Sequence, residues 1–241
     1  LGRLRHPNIG AIYGAGRLPD GRPYFAMELV EGPTLSAYLA SRPSPANRAE
    51  LLHRLALAGR IAEAVNYAHQ RGVIHRDLKP SNIVVPEATG GSSASFSSSG
   101  LPDVKVLDFG LARITDDESQ VSMMSDVGEI RGTLPYMSPE QVRGETQTLD
   151  VRSDVYTLGV ILYEMIAGER PYEVGSASLL HAMKIICEQE PKPLRDTPSG
   201  IAHVDGDLQA IVLKALAKEP ERRYSSAAAL AEDLERFRHS Q

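Results

Sequence analysis

Leu51, Leu55, Ala58, Ala62 and Val65 recur at steps of three and four along a segment from about residue 46 to residue 70. That spacing makes one face of a helix apolar and leaves the other polar. Gly72, just beyond, is a natural terminator, because glycine readily takes the left-handed conformation that closes a helix. The same periodicity predicts helices over 153–167, 177–188, 207–217 and 226–238. The first of these is apolar almost all round and is expected to be a buried central helix. Thr34 is suited to cap a short helix over 35–39. Strand patterning is sparser. Residues 9–13 and 24–30 read as two strands, flanking Gly14-Ala15-Gly16 and Pro19-Asp20-Gly21-Arg22, which carry turn chemistry. Val73-Ile74 and residues 83–85 read as short strands around a polar loop, and 104–107 is predicted to pair with 83–85 as a hairpin. Residues 111–140 show no sustained period and hold Gly128, Gly132, Pro135 and Pro139, so they are read as a long ordered loop. There is no internal repeat.

Between Pro86 and Asp103 lies a glycine pair followed by a serine-rich run, with too little apolar surface to order itself. A disordered insertion is expected over 86–103. At 241 residues the chain sits near the ceiling of roughly 250–300 where one core stops growing. Lys and Arg number 26 against 31 Asp and Glu, a net charge of −5, which argues against a broad nucleic-acid face. The apolar run 155–163 lies between Asp154 and Glu164 and is too short to cross a bilayer. With no membrane segment and no signal pattern, a cytoplasmic location is expected. Cys187 is the only cysteine, so no internal disulfide forms and no cysteine-based zinc site is available. His53, His69, His181, His203 and His239 lack metal-ligand spacing and are assigned surface or packing roles.

The chemistry concentrates in His75-Arg76-Asp77-Leu78-Lys79-Pro80-Ser81-Asn82, followed by Asp108-Phe109-Gly110 and then Ser138-Pro139-Glu140. Each part has a job in phosphoryl transfer, where catalysis is mostly positioning and electrostatic clamping. Asp77, in a loop between strands, can accept a proton from an attacking hydroxyl. Lys79 can reach the same phosphate as a point charge. Asn82 and Asp108 offer the hard oxygen ligands that Mg²⁺ prefers. Gly110 permits the sharp turn that aims Asp108 inward.

On these motifs the chain resembles a eukaryotic-type protein kinase, specifically a bacterial Ser/Thr kinase. The pattern H-R-D-L-K-x-x-N is met residue for residue, D-F-G is met by Asp108-Phe109-Gly110, and A-P-E is met with Ser138 in place of Ala. The resemblance implies an α+β, two-lobed fold over 1–238: an N-lobe remnant and hinge at 1–30, a complete, mainly helical C-lobe at 31–238, and an activation segment at 108–140. It also implies ATP and Mg²⁺ as cofactors. Asp77 would be the catalytic base, Lys79 the γ-phosphate contact, and Asn82 and Asp108 the metal ligands. Thr133, in the docking stretch Gly132–Met137, would bond toward Asp77 and Lys79. Met27 would stand at the back of the adenine pocket, Glu28-Leu29-Val30 would be the hinge and Val84 the pocket floor. Ile12, His75 and Phe109 would form the hydrophobic stack, Glu140 and Arg223 a buried ion pair, and Asp154 the anchor of the catalytic loop. Protein Ser/Thr hydroxyls are the implied acceptors. The docking stretch argues against another reading, a small-molecule phosphotransferase.

The family's Gly-rich loop, strand lysine and helix glutamate have no counterparts, since the first lysine is Lys79 and the first glutamate Glu28. Gly14-x-Gly16 is read as an ordinary strand-connecting turn. Two readings follow: a truncated kinase whose parent carries the upstream strands and could be membrane-anchored, or a catalytically dead pseudokinase scaffold that binds protein partners. The intact catalytic loop favours the first, and the chain alone is expected to phosphorylate poorly or not at all. Arg76 beside Asp77 implies control by activation-loop phosphorylation, for which autophosphorylation in trans is one route. Of Thr115, Ser119, Ser122 and Ser125, the candidates nearest the docking stretch are Ser122 and Ser125.

Overall fold

The structure is a computed structural model that describes residues 4–42, 44–86, 104–109, 132–145, 149–174, 178–196 and 206–240. All but the first residue of the predicted insertion, together with Gly110, Ser122, Ser125 and the rest of 110–131, lie outside the described residues.

Six helices among the described residues begin at a side-chain cap. Helix α1 (Leu35–Ser41) starts where the Thr34 hydroxyl accepts the Ala37 N–H at 3.2 Å. Helix α2 (Arg48–His69) is capped by Asn47, which accepts from Glu50 N at 3.0 Å, and the Glu50 carboxylate accepts from Ala46 N in return. The chain leaves α2 through Gly72 at φ 73°. Helix α3 (Pro139–Val142) carries a reciprocal capping box between Ser138 and Gln141. Helix α4 (Val151–Ala167) is capped by Asp150 and closed by Gly168 in the left-handed conformation. Ser178 caps α5 (Leu179–Glu188). Helix α6 spans Gly206–Ala215, and Ser226 caps α7 (Ala227–His239).

Helix α4 is the axis of the core. Only Val151, Arg152 and Glu164 along it escape burial. Helix α2 packs along α7 and against α4, while α4 also meets α6 and α7, and α5 lies on α3. A helix apolar on nearly every side must be surrounded, and this one is.

The first two strands are displaced from their predicted positions. Strand β1 (Ile12–Arg17) pairs antiparallel with β2 (Pro23–Met27), with Ala15 opposite Phe25 and Gly16 opposite Tyr24. Gly14-Ala15-Gly16 is therefore inside a strand and not a turn. Gly16 serves packing there: a Cβ on it would lie 2.7 Å from the Tyr24 ring, whereas one on Gly14 would meet nothing within 4 Å. The turn itself is at 18–22, where Gly21 takes φ 85° and donates to Leu18 O at 2.9 Å. The predicted hairpin forms as β3 (Ile83–Val84) against β4 (Lys105–Val106), with Ile83 opposite Val106. Single bridges extend it through Ile9 to Val106 and Thr34 to Val84. Val73-Ile74 forms no strand; Val73 N donates back to Ala68 O at 3.0 Å, as the tail of α2. The end of the predicted loop 111–140 is not loop either, since it holds a 3₁₀ turn (Leu134–Tyr136) and the start of α3.

Candidate functional site

Arg76 sits at φ 67°, a left-handed conformation that costs a non-glycine residue about 1–3 kcal/mol unless its surroundings hold it there. Buried Asp154, in the first turn of α4, supplies much of that restraint. Its Oδ1 accepts from Arg76 N at 3.0 Å and its Oδ2 from His75 N at 2.8 Å. His69 Nε2, at the last turn of α2, donates to the same Oδ2 at 2.7 Å. Burial pushes the Asp154 carboxyl up, but the His69 hydrogen bond and the nearby histidine charges outweigh it and leave the group below the ordinary aspartate range. The carbonyl side of Arg76 is held as well, by Gln141 Nε2 at 2.7 Å. The His75 ring donates through Nε2 to Leu107 O at 2.9 Å and lies 4.6 Å from the Phe109 ring, so the catalytic loop is tied to the segment bearing Asp108.

On this loop the polar groups converge. Lys79 Nζ is 2.9 Å from one Asp77 carboxylate oxygen and 3.2 Å from the other, and it donates to Thr133 Oγ1 at 3.0 Å. Asn82, in a 3₁₀ turn (Pro80–Asn82), donates through Nδ2 to Asp77 O at 2.9 Å and to Asp77 Oδ2 at 3.3 Å. The Asp77 side chain is 42% exposed and that of Lys79 21%, so a carboxylate able to take a proton faces solvent beside a more sheltered cation. Leu107 N donates to Asn82 O at 2.8 Å, which sets Asp108, itself at φ 63°, next to Asn82 in the fold.

The docking stretch is pinned to α4. Thr157 Oγ1 donates to Tyr136 O at 2.9 Å, and Tyr136 Oη donates to Glu164 Oε2 at 2.8 Å. Next to it, Arg223 grips Glu140 with two bonds of 2.7 and 2.8 Å. Its three remaining N–H groups go to the carbonyls of Ala217, Arg152 and Lys218, and Ser153 Oγ donates to Glu140 Oε1 at 2.8 Å. Burial would raise the Glu140 carboxyl, but the Arg223 hydrogen bonds and charge hold it below the usual glutamate range.

Met27 ends β2 and leads into the predicted hinge. Glu28 N donates to Ala11 O at 2.8 Å, and its carboxylate accepts from Ala11 N at 3.0 Å and from Lys105 Nζ at 2.7 Å. Burial raises that carboxyl, and the Lys105 bond more than reverses the effect. Leu29 is 86% exposed, Val30 is half-buried, and Val84 is buried in β3 beside Lys105 of β4.

A model of the protein kinase domain matches residues 1–234. The chain belongs to the protein kinase family. It is similar to the serine/threonine-protein kinase PknB of Mycobacterium leprae, 39% identical over 242 residues that cover 99% of this chain and 34% of the relative. It is likewise similar to serine/threonine-protein kinase pkn3 of Myxococcus xanthus, 39% identical over 234 residues, covering 97% of this chain and 39% of that one. Among solved structures, the PknI kinase domain of Mycobacterium tuberculosis matches with a TM-score of 0.66 and 26% identity, over 97% of this chain and 73% of that one. The fold is thus protein-kinase-like, and the relatives the chain matches are named serine/threonine-protein kinases. The chain spans about a third of the length of PknB.

Members of this family use ATP and Mg²⁺, and the kinase's residues fit both in part. No cluster of three or more His, Cys, Asp or Glu suited to a metal occurs among the described residues. Mg²⁺ does not need one, because it is commonly held by one or two protein oxygens together with phosphates and water. Asn82 keeps its Oδ1 lone pairs after its Nδ2 has been committed to Asp77, and Asp108 follows Leu107, whose N–H is bonded to Asn82 O. Among the described residues no helix is long and apolar enough to cross a membrane.

Three contributors to the kinase site escaped the reading of the sequence: His69, Lys105 and Gln141. Nothing local marks His69 or Lys105, whose partners lie 85 and 77 residues away. Gln141 had a signal, the S-x-x-Q pattern of a capping box beginning at Ser138.

Proposed function

We propose that this kinase transfers the γ-phosphoryl group of ATP to Ser and Thr hydroxyls of proteins, with Asp77 as the base. The observation that carries this reading is the convergence of Asp77, Lys79, Asn82 and Thr133 on one restrained loop. Asp77, part exposed, would orient the acceptor hydroxyl and take its proton as the phosphoryl group leaves ATP. Lys79, already within reach of Asp77 and Thr133, would neutralise charge on the transferred group. Thr133 would hold Lys79 and the docking stretch in register. Bound Mg²⁺-ATP supplies the activated phosphoryl group and charge neutralisation; Asn82 and Asp108 would hold the metal, and the Glu28–Val30 backbone, Met27 and Val84 the adenine. We further propose that a phosphate on Ser122 or Ser125 activates the enzyme by engaging Arg76.

The test is Mg²⁺-ATP-dependent incorporation of labelled phosphate, measured on this chain and on the full-length protein. Label on Ser or Thr of a protein substrate supports the reading, and label mapped to Ser122 or Ser125 supports the regulatory part. Because the sequence here has no Gly-rich loop or strand lysine, the rival reading is a scaffold that binds partners without catalysis. No incorporation by either form would favour it.

A further inference from the structure

Glutamate and glutamine serve equally at the third position of a capping box, since the box asks only for an acceptor. Gln141 does more than accept. Its Oε1 takes the Ser138 N–H at 3.0 Å and the Ser138 hydroxyl at 3.1 Å, while its Nε2 donates to Arg76 O at 2.7 Å. Both backbone partners have fixed polarity, so the orientation of the amide is determined. An ionised glutamate could only accept, whereas the amide accepts on one side and donates on the other.

The carbonyl that Gln141 holds belongs to the peptide joining Arg76 to Asp77. That peptide follows a residue at φ 67°. Asp154 fixes Arg76 at its N–H, which leaves the carbonyl side free to rotate unless something grips it. Rotation there would swing the Cα of Asp77 and turn its carboxylate away from Lys79 and Asn82. The grip comes from α3, the helix that follows the docking stretch and begins at a wholly buried Ser138.

We infer that Gln141 is a positioning residue for Asp77, acting through the Arg76–Asp77 peptide, and that it couples order in the docking segment to the aim of the base. One side chain completes the cap of α3 and clamps the left-handed residue of the catalytic loop. When α3 forms, the base is held; when α3 frays, the carbonyl of Arg76 is released. The kinetic consequence rests on the phosphotransfer proposed above, while the structural one does not.

Gln141→Glu separates the two jobs, because it keeps the acceptor for Ser138 and replaces the donor to Arg76 O with a repelling oxygen. In the full-length protein, we expect amide exchange at Arg76 and Asp77 to accelerate about tenfold, as for a lost charge-neutral hydrogen bond with its acceptor left unsatisfied. We expect kcat to fall by about the same factor with KM for ATP unchanged, because the base moves and the nucleotide site does not. Gln141→Met, which removes the amide at similar volume, carries the same readouts should the new charge prevent folding. Unchanged exchange at Arg76 and Asp77 in a folded variant overturns the inference, even if kcat falls. A wild-type protein without phosphotransfer would count against the proposed function alone, and the exchange rates would still decide the role of Gln141.

Discussion

All five N–H donors of Arg223 are engaged, two by Glu140 and three by backbone carbonyls, in a site closed to solvent. Removing the guanidinium strands a buried carboxylate, so Arg223→Ala is expected to cost about 3–5 kcal/mol, read as a lower thermal midpoint. The Glu140 carboxyl is held below its usual range by that partner. Its contribution is therefore present above about pH 4.5, the ordinary glutamate value, and is lost as pH falls through the lower folded value. Acid should destabilise wild type more steeply than Arg223→Ala, and equal slopes in acid unfolding would contradict the pairing. Lys218 behaves oppositely. Its Nζ donates to Tyr172 Oη and Ile186 O, and burial pushes its ammonium down to about 8. The unfolded chain, with an ordinary lysine near 10.5, then holds more protons between those two values. Between pH 8 and 10 wild-type stability should gain on that of Lys218→Met, and parallel stability curves would refute the shift.

At the scale of elements, what could be read in advance was whatever is local. The cap at Thr34, the apolar face of α2 and the all-round apolarity of α4 are short-range patterns, and the helices begin within two residues of their expected starts. The failures have physical causes. Gly14 and Gly16 look like turn residues, yet both lie within β1, where a Cβ on Gly16 would run into the Tyr24 ring. Val73 and Ile74 have strand composition, but Val73 N returns to the end of α2. The motif residues of the site were legible because they sit in the short runs 75–82 and 108–110, whereas His69, Lys105 and Gln141 act through partners far along the chain. Ile161, buried in α4 among residues of α2 and α7, tests the core directly. Ile161→Ala is expected to lose about 2–5 kcal/mol in denaturant unfolding. A loss well under that range would mean that α4 is not the packed axis described above.

The described residues form a largely helical body whose most buried helix grips the catalytic loop through Asp154. Asp154 stands in the first turn of α4 and gathers the backbone of His75 and Arg76 together with the ring of His69 from α2. Rigidity of the core thus becomes precision at Asp77, as the role proposed for it as a base requires, since such a group must be aimed to within a fraction of an ångström. Docking stretch, catalytic loop and core share side-chain bridges: Lys79 to Thr133, Gln141 to Arg76, Thr157 to Tyr136. The account predicts that chemistry and folding separate cleanly at one residue. Phosphotransfer to a protein substrate should be compared between the full-length protein and its Asp77→Asn variant, with Mg²⁺-ATP binding measured on both. Loss of turnover by several orders of magnitude with nucleotide binding retained is the predicted result, and equal turnover in the two proteins would contradict the assignment of Asp77 as the base.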